Sequence, residues 1–253
     1  TPGGATTWAL LSNKTGASGP TEIALGQNAG FDGQDADAVA IGKNAGQGGQ
    51  FAAAISIGQN AGGNITQGIG AVAIGVSTGF DAQGQYGVGI GPFTALTSQG
   101  IRSVAIGLSS GQSSQGSYAV AIGSSAGYDA QGEQSVAIGS SAGETAQGNA
   151  AVAIGSGAGA ANQRINSVAV GVNAGAGTQG QYSVAVGGAA GYTSQGNAAV
   201  AIGNNAGYTG QGISSVAIGN SAGTTSQGNQ SVAIGDNAGV TQGSTAVAIG
   251  QNA

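Results

Sequence analysis

The chain has 253 residues, 54 of them glycine, with aromatics at 4%, charged residues at 5%, and no Cys, His or Met. That composition excludes a disulfide framework, thiol chemistry, the usual histidine base and soft-metal ligands. The formal net charge of −5 comes from 9 acids and 4 bases, with no basic stripe for nucleic acid or an anionic membrane and no apolar run long enough to insert into a bilayer as a helix.

Residues 1–20 fit no period and hold the only tryptophan, Trp8. They read as an N-terminal cap or as the tail of a preceding domain, because the end of a repeat array must cover an open core. From Thr21 to Ala253 one unit recurs, best written Ser135-Val136-Ala137-Ile138-Gly139. Its closing glycine returns fifteen times between Gly26 and Gly250, at 16 residues, with one interval of 17 (Gly58 to Gly75) and one of 15 (Gly235 to Gly250). So fixed a period defines a repeat architecture. Glycine at this level suggests a flexible segment, but the fixed Val and Ile positions and the constant register oppose disorder.

Each coil has three parts. The first is a short strand, x-Val-Ala-Ile, whose branched pair shares one face while the small residue takes the other. Both faces are apolar or small, which implies that one lines the coil and the other packs on a neighbouring chain. The branched pair, represented by Val136, Ile138, Val152, Ile154, Val216 and Ile218, is assigned as the strand core, hidden at each level. The second part, x-x-Ala-Gly, bends at Ser77-Thr78-Gly79 and Ser109-Ser110-Gly111 and fails at Pro92-Phe93-Thr94-Ala95. The third is a turn ending in Gln-Gly, with glutamine in all 14 complete repeats. Like residues stack on like in such an array, so Gln131, Gln147, Gln179, Gln195, Gln211 and Gln227 are expected to form a structural ladder of amides along the axis.

A unit with two strands and two glycine corners is one turn of an all-β parallel β-solenoid, or β-roll, of about 15 coils. At about 4.8 Å per coil the rod is about 65–70 Å long. Its large apolar groups are few, so a lone rod is expected to be marginal and to self-associate.

Tandem Ser-Val-Ala-Ile-Gly strands followed by a small-residue segment and a turn glycine resemble the YadA-like head of trimeric autotransporter adhesins. The best copies are Ser103 to Gly107, Ser135 to Gly139, Ser215 to Gly219 and Ser231 to Gly235. The resemblance covers residues 21–253 and implies a left-handed roll, a homotrimer, and display on the bacterial outer membrane or in an extracellular fibre. Similar repeats also occur in fibres of phages and large viruses.

Chemistry is otherwise sparse. A solenoid acyltransferase relies on a histidine, which this chain lacks, and no enzyme or cofactor is expected. Asp32, Asp35 and Asp37 cluster in the first coil and read as a solvated corner rather than a cation site. The aromatics occupy two slots. Phe31, Phe80, Tyr128, Tyr192 and Tyr208 directly follow the second glycine; Tyr86, Tyr118 and Tyr182 sit two residues before Val. They form the candidate binding surface, with the alternative that they shield gaps between coils or chains. The expected function is a non-enzymatic adhesin or fibre segment whose partner is a host or prey surface protein or glycan, with no nucleic acid. The alternatives are a phage or viral tail-fibre shaft and an ice-binding solenoid. The last wants a regular threonine row, where this chain drifts through Asn28, Ser77, Phe93, Gly157 and Ala189.

Overall fold

A computed structural model describes residues 21–253; the expected cap, residues 1–20, lies outside the described residues. The described residues form a parallel β-solenoid and contain no helix. Fifteen three-residue strands, from Ile23–Leu25 to Val247–Ile249, make one parallel sheet in sequence order. Register is in lockstep: Val136 pairs with Val120 and Val152, Ala137 with Ala121 and Ala153, and Ile138 with Ile122 and Ile154. A narrower ladder runs through the glutamine turns, continuous over Thr97–Gln99, Ser113–Gln115, Asp129–Gln131 and Thr145–Gln147 and carried elsewhere by shorter pairs and single bridges. Between these ladders the turns also bond coil to coil, as when the Ser141 N–H donates to Ser124 O and the Gly143 N–H to Ala158 O, both at 2.9 Å.

The corners depend on glycine for two different reasons. Gly139 has φ 129, and a Cβ there would lie 2.7 Å from the carbonyl of Gly155 in the next coil. Gly143 has φ 53, and a Cβ there would lie 2.8 Å from Cδ of Gln147 in its own coil. The first glycine therefore lets coils approach, and the second makes room for the glutamine to fold across the turn.

The interior is very thin. Its buried apolar residues are all alanine, and its largest fully buried side chains are glutamines. In the coil of Ser135 the buried side chains are those of Ser135, Ala137, Ala142 and Gln147, beside the buried Gly143. This corrects the expected strand core. Val136, Val152 and Val216 are only half-buried, and Ile138, Ile154 and Ile218 are 37%, 38% and 36% exposed, on the outer side of the sheet. Opposite walls nearly touch: the Ala121 methyl would lie 3.3 Å from a Cβ on Gly127. In most coils only methyl, hydroxymethyl and one amide fit between them, so alternation turns the branched pair outward.

The coil of Pro92-Phe93-Thr94-Ala95, where the second segment was expected to fail, keeps the fold. Thr94 takes the buried alanine slot, and Ala95 takes the glycine slot at φ 47. Thr78 and Ser110 fill the same slot in neighbouring coils, fully buried, with their hydroxyls donating to carbonyls of the next coil, Gly91 and Ala121. Thr78 is bulkier than alanine, and the strand opposite compensates with Gly89, where a Cβ would come within 2.9 Å of Thr78 Cγ2. Both length changes fall in one place. Between the second glycine and the glutamine lie three residues in the usual coil, four at 63–66 and two at 240–241, while the adjoining strands hold register.

Candidate functional site

Three surfaces carry the residues of interest. The first is internal. Gln131 is buried, and its amide nitrogen donates to Val120 O of its own coil at 2.8 Å while its Oε1 accepts from Gln115 at 3.1 Å. Gln147 repeats the brace with Val136 O at 2.8 Å and donates onward to Gln163 at 3.1 Å, and Gln195 braces Val184 O at 2.7 Å and donates to Gln211 at 3.1 Å; the Oε1 atoms of both are without a partner among the described residues. Gln179 and Gln227 brace Val168 and Val216, each at 2.7 Å, but their Oε1 atoms are without a partner among the described residues. Every glutamine thus ties the turn to its own strand, and only some also link neighbouring coils. The serine that alternates with alanine before Val is likewise satisfied locally: the Ser135 hydroxyl donates to Gly132 O at 2.7 Å.

The second surface is the outer face of the sheet. Two branched side chains per level, from Ile23 and Leu25 to Val247 and Ile249, form one continuous apolar strip along the rod.

The third surface is the pair of corners that bear the aromatics. In the slot after the second glycine, Tyr192 and Tyr208 stack across one coil step, ring centroids 4.9 Å apart and 8° from parallel. The Phe80 ring covers Gly63, where a Cβ would lie 3.2 Å from it, while Phe31 and Tyr128 stand exposed. The other slot, two residues before Val, is a left-handed corner in which Tyr86, Tyr118 and Tyr182 have φ 56, 60 and 58. All three are exposed. Between Tyr86 and Tyr118 the same slot holds Arg102, which the sequence reading missed although it lies 16 residues from each. Its guanidinium carbon is 5.7 Å from the Tyr86 ring centre and 5.9 Å from that of Tyr118, and it donates to the Tyr118 hydroxyl at 3.2 Å. Tyr182 has no such neighbour, since Asn166 and Ala198 flank it in the slot.

Near the N-terminal end, Asp32 borders two open grooves of about 230 Å³ each, one shared with Asp35, Phe51 and Thr66, the other with Asn44, Asn60 and Phe80. Asp37 lines neither groove, and among the described residues no three acidic side chains come together as a metal ion would need. Among the described residues no helix is long and apolar enough to cross a membrane.

Residues 130–158, 165–190, 211–238 and 226–253 match the YadA head domain repeat, a unit of two copies. The matched residues, all in the C-terminal half of the chain, therefore carry YadA-like head repeats. No curated protein matches it.

Proposed function

We propose that this YadA-like head is the rod of a trimeric surface adhesin or adhesive fibre, a non-enzymatic left-handed roll that holds contact surfaces away from the cell envelope. The observation that carries this reading is the outer strip of Val and Ile. Among the described residues, thirty branched or leucine side chains on fifteen levels meet nothing that buries them fully. An apolar strip of that extent exceeds what soluble monomers expose, and burying it against two further copies supplies the hydrophobic burial that the alanine interior lacks. Three identical flanks then repeat any weak contact at every level, and linked weak contacts sum to avidity. The partner is a host or prey surface protein or glycan, and the place of action is the bacterial surface or a fibre extending from it.

Replacing Ile138 and Ile154 by Asp tests this reading. The wild-type rod is expected to sediment as three chains and, when coated on beads, to retain them on cells. The variant is expected to sediment as one chain, to melt well below wild type and to lose bead retention. A wild-type rod that stays a folded monomer at micromolar concentration overturns the proposal.

A further inference from the structure

We infer that Tyr86, Arg102 and Tyr118 form a binding site for an acidic sugar, a pyranose bearing a carboxylate or sulfate; this rests on the reading of the rod as a contact surface. The fold does not require large side chains in this slot. Other coils fill it with Asp37, Ala53, Gly70, Ala150 or Ser214, all at the same positive φ. A left-handed backbone is unfavourable for bulky residues, and two tyrosines and an arginine on three consecutive levels accept that strain without filling any core. The level below is cleared for them: a Cβ on Gly70 would lie 2.9 Å from the Tyr86 ring.

The chemistry follows from what is left unused. Arg102 is exposed and holds its guanidinium between two rings, which fixes its plane and its outward edge. Its one side-chain hydrogen bond among the described residues goes to the Tyr118 hydroxyl. Several N–H donors therefore remain in the fork geometry that matches carboxylate or sulfate oxygens. Tyr86 and Tyr118, each 51% exposed, add hydroxyls and ring edges beside that fork, and Ile101 is exposed next to it in the chain. A sugar acid uses all of these: its anion meets the guanidinium, its hydroxyls meet the phenols and its C–H groups meet the rings.

Two other polyanions fit less well. Single-stranded nucleic acid needs open ring faces and a basic track, whereas the guanidinium covers one face of each tyrosine and the chain carries only 4 basic residues. An acidic peptide gains affinity by adding a strand to a sheet edge, but the strands at this height, Val88–Ile90, Val104–Ile106 and Val120–Ile122, are paired on both sides.

The test is binding of the whole rod to immobilised dextran sulfate, polygalacturonate, neutral dextran, polyglutamate and oligodeoxythymidylate. The comparison variants are Arg102→Gln and Tyr118→Gln, because Gln134 and Gln230 already occupy this slot in other coils. Binding to dextran sulfate, polygalacturonate or both is expected, weakened at least tenfold by either substitution and reduced by added salt. Which of the two polymers binds assigns sulfate or carboxylate. Equal binding by R102Q, no binding to either acidic glycan, or equal or tighter binding of dextran, polyglutamate or the oligonucleotide overturns the inference. Retention of wild-type beads on cells is read in parallel. If R102Q beads are retained as well as wild type, the sugar site fails while the adhesin reading stands.

Discussion

Ala137 and Ile138 are neighbours in the chain and point to opposite sides of one strand, and the contrast between those sides explains most of this molecule. On the inner side lie methyl groups, a serine hydroxyl and a glutamine amide, all sealed from water. On the outer side lie the large apolar groups that a globular domain keeps inside. The coil is held together by stacked backbone hydrogen bonds and by one polar brace per turn, while its hydrophobic capacity is directed outward. Such a chain is shaped within itself, and in the trimer proposed above its outward face is what copies bury against one another.

The sharpest way to break that contrast is to make the same residue on both sides. Ala137→Leu places a large group where walls already touch and is expected to cost about 3 kcal/mol, the upper range for overpacking. Ile138→Leu, one residue on, is expected to cost less than about 1.5 kcal/mol. Thermal denaturation of the two variants gives the comparison directly, and equal losses would mean that the faces are not distinct. Next in size is Gln131→Leu, which keeps the volume, removes the brace on Val120 O and takes from the buried Gln115 amide one of its two acceptors. A loss of about 2 kcal/mol is expected in the same melts. The smallest effect sharpens the comparison within the inner side. Gly89→Ala is expected to cost about 1 kcal/mol by crowding Thr78. Adding Thr78→Ala restores the alanine pair found in other coils, and the double variant should melt at or above wild type. A double-mutant cycle with no coupling would remove the compensation.

The fold was legible because a strict 16-residue period carries its own stacking rule: residues one period apart must lie on adjacent levels. The side of the strand that faces inward was not legible. Val136-Ala137-Ile138 is apolar on one face and small on the other, and hydrophobicity alone nominates the branched face as core. What reverses the assignment is the width of the coil, set by Gly143 and Gln147 together, which no local pattern expresses. Pro92-Phe93-Thr94-Ala95 was misread for a related reason. Threonine can take a buried alanine slot when a carbonyl of the next coil accepts its hydroxyl, and that acceptor lies 13 residues away at Gly107. That a glutamine recurs once per coil is visible in the sequence; that its amide reaches Val120 across the coil is not. Arg102 is legible only by position: the 16-residue step joins it to Tyr86 and Tyr118, while its residue class sets it apart from the aromatics.

The lockstep register has a last consequence. If residues 136–151 were cut out, Ser135 would join Val152, and Val120, Ala121 and Ile122 would meet Val152, Ala153 and Ile154, the same residue types they met before. The particle would shorten by about 4.8 Å and lose nothing else of its construction. Genetic slippage by one unit thus changes how far this molecule reaches without redesigning any joint, so stature can evolve independently of architecture.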